Sequence, residues 1–173
     1  MRIHNGMRPQ DLVILLKIIS KKNQEWQYRD LAHELSISIS EVSGSLKRSH
    51  IAGLVDESKK KVFRQSLMEF IEFGLPYVFP QIPGTMVTGI ATAHTHPFFK
   101  KKIISNEHYV WPYLIGSVRG LAIEPLYKGA VDASEKDPNL YLMLSCIDMI
   151  RIGSSREKKE AIGELKNIIL HER

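Results

Sequence analysis

Hydroxyl and positively charged side chains are concentrated between residues 38 and 64, at spacings that suit contact with nucleic acid. Hydroxyls near the start of a helix can reach base edges or phosphates, and cations farther along the helix suit phosphates. These residues predict an interface to double-stranded DNA, although charged helix faces and lysine-rich turns are also common on ordinary protein surfaces. The candidate contact residues are Ser38, Ser40, Ser43, Lys47, Arg48, Lys59, Lys60, Lys61 and Arg64.

A second group of candidate residues is the pair His94 and His96 in the segment TAHTHP. If this segment is a strand, the two rings project from the same face and can share a metal ion. His108 or an acidic residue from elsewhere would have to complete the site. No further ligand stands at a recognisable metal-binding spacing, so structural histidines are the favoured interpretation and no cofactor is predicted. The sequence offers no arrangement of nucleophile and base, so an enzyme is not predicted either.

The DNA-contact candidates belong to two short predicted helices joined by a tight link. Apolar residues recur at helical spacing over about residues 28–35 and again over about residues 39–52. Ser38 and Glu41 stand three apart at the start of the second helix and form a capping box. Gly53 follows as the residue that ends it. This layout predicts a helix-turn-helix, whose second helix enters the DNA major groove.

The flanking segments extend this motif. Residues 7–22 predict a first helix, with Pro9 in its first turn. After the second helix of the motif, Leu54-Val55 and Val62-Phe63 predict a β-hairpin across a charged turn. The segment from about residue 9 to residue 64 resembles the winged helix-turn-helix domain of bacterial transcriptional regulators, of the kind grouped with the MarR-like proteins. The phrase AGLVDESKKKVF matches the end of their recognition helix and the start of their wing. The resemblance implies a DNA-binding regulator with a basic wing on the backbone.

The C-terminal part has a different character. Proline and glycine punctuate residues 81–120, which predicts irregular structure with a few short strands such as TMVTGIAT and HYVWPYLIG. Helices resume with IEPLYKGAVDASEK, Asp137 caps a helix beginning at Pro138, and Ser154 and Glu157 form a capping box for the last helix. The phrases TAHTHP, VWP and VRGLAIEPLY resemble uncharacterised bacterial proteins, which implies no activity. The expected fold is mainly α (α+β), a winged helix-turn-helix followed by an irregular, mostly helical domain.

Charge separates the two predicted domains. The net charge is +5, and residues 1–66 carry all of it, with 12 Lys and Arg against 7 Asp and Glu, whereas residues 67–173 have 12 against 12. We therefore predict a DNA-binding domain at 1–66 and a domain at 67–173 that dimerises, senses a small-molecule effector or binds a protein partner. The single cysteine, Cys146, excludes an internal disulfide, and its apolar surroundings predict a buried thiol.

The cellular setting and the assembly are further expectations. No apolar run approaches the ~20 residues of a membrane span, and the N-terminal MRIHNGMRPQD lacks the apolar centre of a signal peptide, so a cytoplasmic protein is expected. Winged helices usually gain affinity by pairing, which predicts a homodimer formed through residues 140–152 and 161–170. The apolar stripes of these helices equally suit an internal core. The alternative is that the winged helix binds a protein, as in an antitoxin-like neutraliser or another interaction module.

Overall fold

The computed structural model describes residues 5–171 and is mainly helical, at 56% helix with a small three-stranded sheet. This content confirms the predicted α+β class. Residues 1–4, which begin the sequence MRIHNGMRPQD, and residues 172–173 lie outside the described range. Within residues 5–171, no helix combines the length and the apolar character needed to cross a bilayer.

The N-terminal part consists of three helices, α1 Pro9–Ser20, α2 Tyr28–Leu35 and α3 Ile39–Ile51. Pro9 occupies the first position of α1. Proline has no N–H group, but a helix makes no internal hydrogen bond with the N–H at that position, so none is lost. α1 ends two residues before the predicted end, and Lys22 adopts a left-handed conformation with φ 53°. α1 packs against both α2 and α3, so the three helices enclose a common apolar centre.

The predicted β-hairpin after α3 is reduced to one bridge, between Val55 and Val62. The Phe63 amide donates to the Leu54 carbonyl, which extends the antiparallel pairing by one hydrogen bond. α4 Arg64–Phe73 begins directly after this pairing, and α5 Leu75–Val78 follows it. The predicted domain boundary after residue 66 therefore lies inside a helix.

The three strands are β1 Met86–Ala91, β2 Tyr109–Pro112 and β3 Val118–Ala122, so the last of them extends two residues past the irregular region predicted at 81–120. β1 pairs antiparallel with both others, and β2 pairs parallel with β3, so every strand contacts the other two. β1 and β2 lie within the two pieces predicted as strands. Gly89 is required at the β1–β2 crossing, because a Cβ there would lie 1.9 Å from the Trp111 carbonyl oxygen. A 3₁₀ turn, Ala93–Thr95, and α6 Pro97–Lys100 connect β1 to β2.

Three helices complete the chain, α7 Gly129–Lys136, α8 Pro138–Ile152 and α9 Ser155–His171. The predicted resumption of helix before Gly129 is wrong, since residues 123–128 form no helix. The two predicted caps are confirmed. Asp137 accepts a hydrogen bond from the Leu140 amide at 3.0 Å, and the Glu157 carboxylate accepts one from the Ser154 amide at 2.7 Å.

α8 is the central helix of the molecule. It packs against α1, α5, α7 and α9, and its residues 143–150 are all buried. Cys146 is fully buried, as predicted. Most apolar side chains of residues 140–152 are used inside the chain, whereas Tyr141, Leu142 and Ile152 are only partly buried. On α9, Ala161, Leu165 and Ile169 are buried, and the other apolar side chains of residues 161–170 are partly buried: Ile162, Ile168 and Leu170. One apolar core extends through both predicted domains.

An ionic group ties α1 to α2 and α8. The Lys17 ammonium lies 2.9 Å from the Glu34 carboxylate and 2.7 Å from the Asp137 carboxylate, and the Ser20 hydroxyl also donates to Asp137. Burial alone would lower the pKa of Lys17, but the hydrogen bonds to the two carboxylates outweigh it and raise that pKa. The N-terminal helices are therefore fixed to the C-terminal part by charge as well as by apolar packing.

One buried hydroxyl on α8 offers a test of the core. Ser145 is fully buried, and its Oγ has no hydrogen-bond partner within residues 5–171. We expect Ser145→Ala to raise the free energy of unfolding by about 1–2 kcal/mol, because it removes an unsatisfied polar group and improves helix propensity. Urea unfolding with a constant m-value measures the change.

Ser134→Ala is the matched control for this substitution. Ser134 is also buried in a helix, but its hydroxyl donates to the Ala130 carbonyl at 2.7 Å. The control gains the same helix propensity but loses an existing hydrogen bond, so we expect no comparable increase in its free energy of unfolding. Equal effects from the two substitutions would contradict the assignment of Ser145 as an unsatisfied group.

Candidate nucleic-acid interface

The outer face of α3 carries a continuous exposed stripe. Ser40, Ser43 and Lys47 lie along it, followed by His50 and Ile51, and all five are exposed. The opposite face packs mainly against α1 and α2, and its buried residues are Val42, Ser45, Leu46 and Ser49. The fold thus presents one side of a thirteen-residue helix to solvent.

The predicted capping box at the start of α3 is present. The Ser38 hydroxyl accepts a hydrogen bond from the Glu41 amide at 3.1 Å, and the Glu41 carboxylate accepts from the Ser38 amide at 3.1 Å. The same carboxylate accepts from the Ser38 hydroxyl at 3.2 Å. Glu41 is therefore held at the helix N-terminus, where its negative charge interacts favourably with the helix dipole.

Arg48 was expected to contact DNA from the exposed face of α3, but its side chain is directed toward α1. Its guanidinium makes two hydrogen bonds to the Asp11 carboxylate, at 2.8 and 2.6 Å, and its side chain is 13% exposed. Asp11 is fully buried and also accepts from the Arg8 amide. The hydrogen bond to Asp11 raises the pKa of Arg48. This bidentate pair fixes α3 on α1, so Arg48 orients α3 from the side that faces α1.

The loop of residues 56–61 is organised by Asp56. Its carboxylate accepts from the amides of Lys60 and Lys61, both at 2.9 Å, and from the Ser58 hydroxyl at 2.6 Å. The Ser58 hydroxyl contributes most to lowering the pKa of Asp56. Lys59 adopts a left-handed conformation with φ 58° at the turn. The loop backbone is thus held in one shape while its lysines extend from it.

Two of the predicted loop cations are engaged within the protein. Lys60 donates to the Trp26 carbonyl at 2.7 Å, and its Nζ lies 4.0 Å from the centre of the Trp26 ring. Arg64, in the first turn of α4, donates to the Ile169 carbonyl of α9 at 2.7 Å. The side chains of Lys47, Lys59 and Lys61 make no hydrogen bond or ion pair within the described part of the chain. These three lysines are therefore available to phosphate.

The expected strand placement of the two histidines is wrong. His94 lies in the 3₁₀ turn and His96 follows it. Both ring nitrogens of His94 are occupied, one by the Glu157 carboxylate and the other by the Glu107 carbonyl at 2.9 Å. His96 Nδ1 accepts from the Phe98 amide, and burial lowers the pKa of His96 to about 4. Within residues 5–171, no cluster of three potential ligands could hold a metal ion.

A buried polar group attaches the small sheet to α8. The Asp148 carboxylate accepts from the Thr92 hydroxyl and the Trp111 indole, both at 2.7 Å, and from Arg151 at 3.0 Å. Burial raises the pKa of Asp148, and Arg151 opposes this most. Arg151 also donates to the Phe79 carbonyl at 2.9 Å. Every acceptor and donor here is paired, so the group is structural.

Sequence reasoning missed three positioning residues. Asp11 carries a sequence signal, because an acid next to the apolar positions of α1 indicates a buried partner. Asp56, two residues before Ser58, is a typical turn former that the sequence could have revealed. Trp26 has no local signal, because its contact with Lys60 joins residues 34 apart.

The arrangement as a whole is a helix face with hydroxyls and a lysine, beside a loop with two further lysines. Such a surface can donate hydrogen bonds to anionic or polar groups. Comparisons with models of protein families, with curated proteins and with solved structures give no match. The functional argument therefore depends on the geometry of this surface.

Proposed function

We propose that residues 9–64 form a winged helix-turn-helix and that the protein is a DNA-binding transcriptional regulator. α3 is the recognition helix, which enters the major groove, and the loop 56–61 is the wing, which lies along the backbone. The observation that carries the proposal is the exposed stripe on α3, with the opposite face fixed by core packing and by the Arg48–Asp11 pair. At 13 residues, α3 is about 20 Å long, enough to cross a groove about 12 Å wide.

The proposal divides the candidate residues into two roles. Ser40 and Ser43, near the N-terminus of α3, are placed to reach base edges, and Lys47, Lys59 and Lys61 are placed to contact phosphates. The other candidate side chains are engaged within the protein and act by positioning the interface: Ser38, Arg48, Lys60 and Arg64. A surface with three lysines and two serines supports backbone contact more strongly than base readout.

Salt titration of duplex binding tests this proposal. If three lysines per chain contact phosphates, the logarithm of the binding constant should fall with the logarithm of salt concentration with a slope of about −2.7 per chain. A slope near zero, or no binding to any duplex at low salt, would contradict a DNA-binding function. Fluorescence anisotropy with a labelled duplex is a suitable measurement.

Pairing of two chains is part of the proposal, because two half-sites raise affinity and specificity together. A homodimer should place its two copies of α3 about 34 Å apart, one turn of the duplex. The surface used must lie outside the apolar residues of α8 that are buried in the core. Sedimentation of the protein alone and with a two-site duplex would measure the stoichiometry.

A protein-binding role for the same helix is the second candidate. Ile39 and Ile51, at the two ends of α3, are 55% and 52% exposed, and exposed apolar side chains favour a protein partner over phosphate. An antitoxin-like interaction module would use these residues. In that case Ile39→Ser and Ile51→Ser should abolish complex formation, while the protein shows no salt-dependent affinity for duplex DNA.

A further inference from the structure

A hollow of about 590 Å³ lies beside the proposed wing, away from the exposed stripe of α3. It is bounded by the end of α1, the link before α2, the residues after the loop 56–61 and the first turn of α4. Its volume is within the range of sites for small organic ligands, roughly 300–1,000 Å³. Ile18 and Ile19 contribute apolar surface to its floor, and Trp26 and Phe63 contribute aromatic surface to its walls.

All charged side chains that line this hollow are positive. Four cations line it and no aspartate or glutamate does; the cations are Lys22, Lys60, Lys61 and Arg64. The side chains of Lys22 and Lys61 make no hydrogen bond or ion pair with any residue from 5 to 171. Two unpaired ammonium groups beside an uncharged floor match the double negative charge of a phosphate monoester.

The walls of the hollow are fixed in place before any ligand arrives. Lys60 donates to the Trp26 carbonyl and lies over the Trp26 ring, and Trp26 stacks on Tyr28 with ring centres 6.3 Å apart. The first turn of α4 also faces the hollow and has no side-chain cap and no acidic residue. Its amides add donors to those of the lysines. A preformed, electropositive site of this kind loses little entropy on binding an anion.

We propose that this hollow binds a small organic phosphate with an aromatic body, of the size of a nucleoside mono- or diphosphate. The phosphate would be held by Lys22 and Lys61, and the aromatic body would lie against Trp26 and Phe63. The site is separate from the proposed DNA contacts Lys47 and Lys59, and it shares Lys61 with the proposed DNA surface. Binding of the phosphate therefore does not depend on the proposed function of α3.

Isothermal titration with adenosine 5′-diphosphate, adenosine and inorganic phosphate, without divalent cations, tests the site. The diphosphate should bind once per chain, adenosine should not bind measurably, and inorganic phosphate should compete with the diphosphate. Lys22→Asn with Lys61→Gln should weaken diphosphate binding by about a hundredfold, tenfold for each lost charged contact. Asparagine is chosen for Lys22 because it tolerates the left-handed backbone at φ 53°.

Lys101→Gln with Lys159→Gln is the matched control, since both lysines are exposed and lie outside the hollow. It removes the same charge and should leave diphosphate binding unchanged. Absence of diphosphate binding at millimolar concentration, or equal weakening in both double variants, would overturn the proposal. If diphosphate binding persists in Lys47→Gln while affinity for duplex DNA falls, the result would support a phosphate site distinct from the DNA surface of α3.

Discussion

Lys47→Glu combined with Lys59→Asn is expected to reduce affinity for every duplex by at least about a hundredfold at low salt. Each substitution removes a charge-assisted contact of about 1.5 kcal/mol, or roughly tenfold in affinity, and the glutamate adds repulsion from phosphate. Both lysines are without a partner in residues 5–171, so their loss leaves no charge unpaired in the core. Asparagine at position 59 suits the left-handed backbone there.

The salt dependence of DNA binding by this variant distinguishes direct phosphate contact by Lys47 and Lys59 from an effect of net charge. Its slope should become shallower by about two, because two phosphate contacts are lost. Lys101→Glu with Lys159→Gln makes the same change in net charge at exposed positions outside the interface. If that control loses as much affinity as the interface variant, the assignment of α3 and the loop 56–61 as the contact surface fails.

Asp148→Ala is expected to lower the free energy of unfolding by about 3–5 kcal/mol. The substitution leaves the charge of Arg151 buried without its carboxylate, and such an unpaired charge is among the most costly defects in a core. It also removes the acceptor of the Thr92 hydroxyl and of the Trp111 indole. Urea unfolding should show a lower midpoint, and near-ultraviolet circular dichroism should show whether the environment of Trp111 changes.

Glu160→Ala provides a comparison, because Glu160 is exposed on α9. That substitution should change stability by less than about 0.5 kcal/mol. A loss below about 1 kcal/mol for Asp148→Ala would contradict the view that this carboxylate attaches the sheet to α8. Duplex affinity of the folded fraction should be unchanged, since the group contributes nothing to the exposed face of α3.

The sequence predicted α1, α2 and α3 well because their signals are local. Ser38 and Glu41 are three residues apart, and a capping box depends on neighbours alone. The caps at Asp137 and Ser154 were predicted for the same reason. The strands β1 and β2 were predicted from short β-prone pieces, whereas β3 was not.

Contacts between distant residues account for most of the differences in the site. Arg48 reaches an acid 37 residues earlier, and Arg64 reaches a carbonyl 105 residues later. No local pattern specifies such partners, so both arginines were predicted to be DNA contacts. The apolar pattern of α8 allowed either a dimer surface or an internal core, and the contacts that bury most of its apolar side chains come from distant parts of the chain.

The Arg48–Asp11 pair has a consequence for engineering. α3 is anchored entirely from its inner side, so positions 40, 43, 44 and 47 can be randomised while the scaffold stays unaltered. Even Gly44 has room for a larger residue, since an added Cβ would meet only the Arg48 guanidinium, at 3.4 Å. A library built on these four positions could be selected for new target sequences, with the inherited anchor keeping each member correctly oriented.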